Sequence, residues 1–110
     1  MDFIAELVKK MCGYSNIDKA EVITDIVQCN GISKMKLRDH LIEIGTILEY
    51  DEESSVFVAT INSGFGGRNP AIVGLILRDE TLYIAAYAKE GFIRQGTAQK
   101  VIQKVLKLLV

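Results

Sequence analysis

The strongest constraint on the fold is a pair of apolar segments, residues 71–77 and 82–88, separated by the polar residues 78–81. Apolar runs bounded by polar turn residues are typical of buried strands, so this pattern predicts a hairpin. With Leu77 opposite Leu82, both faces of the hairpin are largely apolar. A sheet with one hydrated face would alternate apolar and polar residues. We therefore expect this sheet to be covered on both faces, by helices or by a second copy of the chain.

Two more strands are predicted before the hairpin. Residues 55–61 are rich in β-branched side chains, which favour strands, and the short apolar segment 46–50 precedes them. Residues 51–54, of which the first three are acidic, form the turn between these two strands. The four predicted strands follow one another along the chain, so the simplest arrangement is an antiparallel meander.

Apolar residues at the helical period predict four helices, at residues 2–12, 17–29, 34–44 and from about residue 97 to the C-terminus. The predicted fold class is therefore α+β, with a four-stranded antiparallel sheet, three N-terminal helices and one C-terminal helix in the order αααββββα. The length of 110 residues predicts a single domain over residues 1–110.

Composition excludes several classes of protein. Hydrophobic residues make up 49% of the chain, which is enough for a core without metals or disulfides. The two cysteines, Cys12 and Cys29, are too few for a disulfide framework, and both are predicted to be buried free thiols. The N-terminal segment lacks the pattern of a secretory leader, and no apolar run reaches the ~18 residues that span a membrane. We therefore predict a cytoplasmic protein with no membrane contact, cofactor or metal.

The small net charge of −1 conceals an uneven distribution. Residues 1–62 carry six basic and eleven acidic side chains, whereas residues 63–110 carry seven basic and three acidic ones. Such an asymmetry bears on association with partners, not on the fold.

A candidate binding site lies in the two connections that flank the hairpin. The glycine-rich loop 63–70 precedes it and residues 89–96 follow it, and in a meander both leave the sheet at the same end. Their cations and the start of the last helix would favour an acidic group of a protein or small ligand. The alternative is that the two phenylalanines of these connections, Phe65 and Phe92, pack into the core and that the cations are only solvated. The predicted partner-binding residues are Phe65, Gly66, Gly67, Arg68, Asn69, Lys89, Phe92 and Arg94.

Residues 17–61 resemble a winged helix in outline. Two predicted helices meet at a short turn near Gly31, and the second opens with the cations Lys34, Lys36 and Arg38, where such a helix reads DNA bases. The acidic turn 51–54 at the tip of the following hairpin would oppose the phosphate backbone. Helix-turn-helix packing also occurs in proteins that never bind DNA.

No catalytic constellation is visible in the sequence, although catalytic groups can assemble in space from distant positions. The leading interpretation is a non-enzymatic interaction module, a small regulatory or inhibitor-type protein that acts through protein–protein contacts and forms a homodimer. Its predicted partner is a protein with an acidic surface. The alternatives are a winged-helix-like DNA-binding regulator and a protein that binds a small ligand or anion through the loop 63–70.

Overall fold

The computed structural model describes residues 2–62, 70–89 and 96–109. In these residues three α-helices and a short 3-10 turn pack around one five-stranded antiparallel sheet with the strand order β1-β5-β4-β3-β2. The elements in chain order are α1 (Phe3–Met11), the 3-10 turn (Lys19–Glu21), β1 (Ile23–Gln28), α2 (Lys34–Ile44), β2 (Gly45–Asp51), β3 (Val56–Ile61), β4 (Ala71–Arg78), β5 (Thr81–Tyr87) and α3 (Thr97–Leu108).

The predicted hairpin and its register are confirmed. Leu77 lies opposite Leu82, and the pairing continues to Ile72 opposite Tyr87 without a shift. Strands β2, β3, β4 and β5 form the predicted meander, each antiparallel to the next. Because side chains alternate between the faces of a strand, this register sends apolar residues to both faces of the sheet.

The prediction of four strands and three N-terminal helices is wrong, because residues 17–29 do not form a helix. Asp18 caps the 3-10 turn by accepting a hydrogen bond from the Ala20 N–H at 3.1 Å, and β1 follows it and pairs with β5. Branching at Cβ disfavours the helix and suits a pleated strand. Five of the seven residues from 22 to 28 are β-branched, namely Val22, Ile23, Thr24, Ile26 and Val27.

Helices cover both faces of the sheet, as one of the two sequence alternatives expected. Leu7 and Met11 of α1 are fully buried against one face. Leu37 and Leu41 of α2 lie with α3 in the core on the other face. The faces therefore need no second copy of the chain to bury them, and this argument for a homodimer loses its basis.

A glycine lets α1 approach the sheet closely. A Cβ atom added to Gly74 in β4 would lie 3.0 Å from Met11 Sδ and 3.2 Å from Leu7 Cβ and Cδ2. These separations are shorter than normal van der Waals contact, so any side chain here would push the helix away. One turn before Leu7 in the same helix, the ring centroid of Phe3 lies 4.8 Å from that of Tyr83 in β5.

The two edges of the sheet differ. Strand β2 has a register shift between Ile47 and Glu49, so Leu48 lacks a partner residue in β3. Such bulges disrupt the ladder and protect an edge from further pairing. Strand β1 pairs with β5 over all of its residues without a shift. Among the residues that the structure describes, none pairs with the outer side of β1.

Candidate protein-binding edge

The backbone of β1 presents hydrogen-bonding groups to the outside of the sheet. At its end, the Cys29 N–H donates to the Glu80 carbonyl at 2.7 Å and therefore points toward β5. Backbone direction alternates along an antiparallel strand, so Ile23, Asp25 and Val27 also face β5. Thr24, Ile26 and Gln28 consequently direct their N–H and C=O groups away from the sheet. We call this row of outward backbone groups and the exposed Ile26 side chain the β1 edge.

One outward donor already has a partner within β1. The Ile26 N–H donates to the Asp25 carboxylate at 2.8 Å, so the Asp25 side chain reaches over the strand from its half-buried position. A charged side chain on an exposed strand is a common protection against indiscriminate pairing. Local bonds of this kind also compete with a ladder for the backbone donor.

The β1 edge carries an exposed apolar patch. Ile26 is 59% exposed, and it lies opposite Tyr83 on the same face of the sheet as α1. Together with Asp2, Phe3 and Ile4, these residues line a shallow groove between α1 and β1. An apolar side chain that protrudes beside free backbone groups favours the addition of another strand.

Arg78 fixes one wall of this groove. Its guanidinium group lies 5.8 Å from the centroid of the Phe3 ring and donates two hydrogen bonds to the Ser54 carbonyl, at 3.2 and 3.3 Å. A cation over an aromatic face is attracted by the ring quadrupole, so Arg78 holds Phe3 against Tyr83.

A cluster of polar side chains joins α1 to β2 on the same sheet face. The Glu49 carboxylate accepts from Lys10 Nζ at 2.8 Å and from the Tyr14 hydroxyl at 2.7 Å. These two bonds lower the pKa of Glu49, and the bond to Glu49 raises the pKa values of both Lys10 and Tyr14. Each carboxylate oxygen accepts one hydrogen bond, so the cluster ties α1 and the residues that follow it to β2.

Most of the predicted loop site lies outside the described residues. This applies to Phe65, Gly66, Gly67, Arg68, Asn69, Phe92 and Arg94, whereas Lys89 is described and is exposed after β5. The strand ends beside these connections do meet at one end of the sheet, with Ile61 opposite Ala71 and Ile72 opposite Tyr87. Binding of an acidic group there stays a prediction.

The geometry on which the winged-helix interpretation depends is absent. The residues predicted as its first helix contain β1, and its supposed wing, β2 and β3, belongs to the central sheet. Two of the three candidate cations also have partners. Lys34 Nζ donates to the Glu52 carbonyl at 3.0 Å and Arg38 pairs with Asp39 at 3.2 Å, whereas Lys36 is exposed.

Sequence reasoning missed the residues of the β1 edge, Asp25 and Ile26 above all, because it placed them on a helix. The signal that could have found them was the run of β-branched residues. Cys12 was predicted to be buried and is exposed, whereas Cys29 is buried as predicted.

Neither a scan against models of protein families nor searches of curated proteins and of solved structures found a match to this chain. In the described ranges no helix is long and apolar enough to cross a membrane. No group of three or more His, Cys, Asp or Glu side chains in the same ranges could hold a metal ion.

Proposed function

We propose that this chain is a non-enzymatic interaction module that acts through protein–protein contacts, and that the β1 edge is its contact surface. The observation that carries the proposal is the coincidence of outward backbone groups with Ile26, an isoleucine that is 59% exposed. In strand addition, backbone hydrogen bonds supply affinity, and the alternate side chains that fit pockets supply specificity. Ile26 and the adjoining Phe3–Tyr83 groove would provide the side-chain contacts that give specificity.

Other exposed apolar residues support a binding surface less well. Met35 and Ile42 of α2 are 61% and 59% exposed, but the charged pair Arg38–Asp39 lies between them on the helix. Single exposed apolar side chains are normal on protein surfaces. Unlike Ile26, they lie on a helix, whose backbone groups are already bonded internally.

The proposal places the protein among small regulatory or inhibitor-type proteins, which act by occupying a partner. A cytoplasmic location suits the two free thiols, Cys12 and Cys29, because reducing compartments keep cysteines unpaired.

The test compares two isoleucines of equal exposure. Tagged wild type, Ile26→Ser and Ile42→Ser serve as baits in extracts of the native host, at low and high salt, with melting curves recorded for each bait. We expect Ile26→Ser to lose the proteins that wild type retains, and Ile42→Ser to keep them, at unchanged melting temperatures. Retention of the same proteins by a folded Ile26→Ser bait would refute the β1 edge as the contact surface.

A further inference from the structure

We infer that the β1 edge pairs with the β1 edge of a second copy of this chain, antiparallel and centred on Ile26, to give one continuous ten-stranded sheet. This inference rests on the proposed function and names the partner of the same surface. It differs from the homodimer expected from the sequence, which buried a face of the sheet and not an edge.

Symmetry restricts the register of such a pair. When two identical antiparallel strands pair about a two-fold axis, the axis passes between one residue and its own copy. An axis at Ile26 pairs Ile26 with Ile26 of the second copy and Thr24 with Gln28. All of these residues direct their backbone groups outward, so every such pair exchanges two hydrogen bonds. An axis at Thr24 or at Gln28 would leave much of β1 unpaired.

Two neighbouring registers compete with this one. An axis at Val27 pairs only Ile26 with Gln28 among the outward residues of β1, so it leaves Thr24 without a partner in the strand. An axis at Asp25 would also align outward backbone groups, because it pairs Thr24 with Ile26. It would, however, place two Asp25 side chains directly opposite each other in the closer, non-hydrogen-bonded type of pair. Like charges directly opposite each other are destabilising. In the register centred on Ile26, Asp25 lies opposite Val27, and the two Ile26 side chains meet between the Phe3–Tyr83 grooves of the two copies.

Asp25 also controls whether pairing begins. In the single chain its carboxylate accepts the Ile26 N–H at 2.8 Å, which is the donor that the second copy needs. The carboxylate has to rotate away before the strands can pair, so Asp25 opposes association as well as selecting the register. Because hydrogen bonds to charged groups are among the stronger ones, Asp25→Ala is expected to tighten the dimer by about tenfold or more.

The first experiment measures the mass of the full chain over a concentration series by sedimentation equilibrium. Wild type is expected to pass from one chain mass to two, and Asp25→Ala to do so at lower concentration. Ile26→Pro is expected to remain at one chain mass, because it removes an outward N–H and no bond to β5, a change that edge strands tolerate. Ile26→Lys, which sets two cations face to face on the axis, replaces the proline variant if that variant fails to melt cooperatively.

The second experiment tests the register by disulfide formation in a Cys12→Ser background. Hydrogen-bonded antiparallel partners have Cα atoms about 5.5 Å apart, within the range that a disulfide spans. Ile26→Cys is therefore expected to give covalent dimers on mild oxidation. Thr24→Cys, which is two residues off the axis, is expected to give none.

The results separate the inference from the proposed function. Wild type and Asp25→Ala that stay at one chain mass at the highest concentration would overturn the inference, as would cross-linking by Thr24→Cys that equals that of Ile26→Cys. If the Ile26→Ser bait still loses its captured proteins in that case, the proposed function stands with a different partner. If the chain dimerises and Ile26→Pro dimerises equally well, the β1 edge is not the dimer interface and the inference fails, whereas the Ile26→Ser bait still decides the proposed function.

Discussion

Replacing Gly74 by alanine tests how closely α1 lies on the sheet, and with it the support of the Phe3–Tyr83 groove. The added methyl group would lie 3.0 Å from Met11 Sδ and 3.2 Å from two atoms of Leu7, and both of these side chains are fully buried. Neither residue has solvent on any side into which it can move. We therefore expect the helix to shift outward, at a cost in stability.

Two opposing effects determine how much Gly74→Ala lowers the free energy of unfolding. Overpacking of a buried site typically costs about 1–3 kcal/mol. Alanine loses less conformational entropy than glycine in a strand, which returns about 0.5–1 kcal/mol. The net loss in the free energy of unfolding should be about 1–2 kcal/mol. For a domain of this size this corresponds to a fall in melting temperature of about 4–8 °C.

The assay is thermal and urea unfolding of wild type, Gly74→Ala, Leu7→Ala and the double variant. Leu7→Ala alone should cost about 2–5 kcal/mol through the cavity that it leaves. It also removes one of the atoms that the new methyl group would strike, Leu7 Cδ2. In that background Gly74→Ala should therefore cost at least about 0.5 kcal/mol less than in wild type. Strict additivity, or a Gly74→Ala variant as stable as wild type, would refute the close packing of α1 on β4.

Three further predictions concern pH, thiol reactivity and the fold. Glu49→Gln should bring the pKa of Tyr14 back toward its ordinary 10.0 in an absorbance titration, and should remove a stabilisation that wild type has above about pH 4.5 and loses as the pH falls. With a thiol reagent, Cys12 should react fast and Cys29 slowly, because burial raises the pKa of the Cys29 thiol; equal rates would contradict this. Gly45→Ala should lower the free energy of unfolding by about 3 kcal/mol, measured as a lower urea midpoint. The reason is that the added Cβ atom would collide with the backbone of β3 at Thr60.

The sequence could predict the register of the β4–β5 hairpin, and its strand ends to within one residue, because its apolar runs are buried on both faces and end at polar turn residues. The N-caps Asp2 and Ser33 were also predictable, since each side chain bonds an N–H three residues on, at Ala5 and at Lys36. Helix α3 begins differently, because Gly96 takes its N-cap position in a left-handed conformation and supplies no side-chain cap.

Strand β1 could not be predicted from its pattern of apolar residues, because it lies at the edge of the sheet. A strand with a neighbour on only one side buries less of each face, so Thr24, Asp25 and Gln28 interrupt its apolar residues. That interruption spaces the apolar positions at intervals that also fit a helix, and only the β-branched composition opposes the helical interpretation.

The same edge position links the error in the fold to the proposed function. The polar residues that obscured β1 in the sequence include Asp25, whose carboxylate holds the Ile26 N–H and opposes pairing with the wrong partner. An exposed isoleucine beside an aromatic groove does nothing to keep a strand edge unpaired, and Ile26 is 59% exposed. The Asp25 carboxylate, in turn, occupies the Ile26 N–H and so opposes unrestricted pairing of the edge. The two features together fit an edge that pairs selectively, as we propose for the β1 edge.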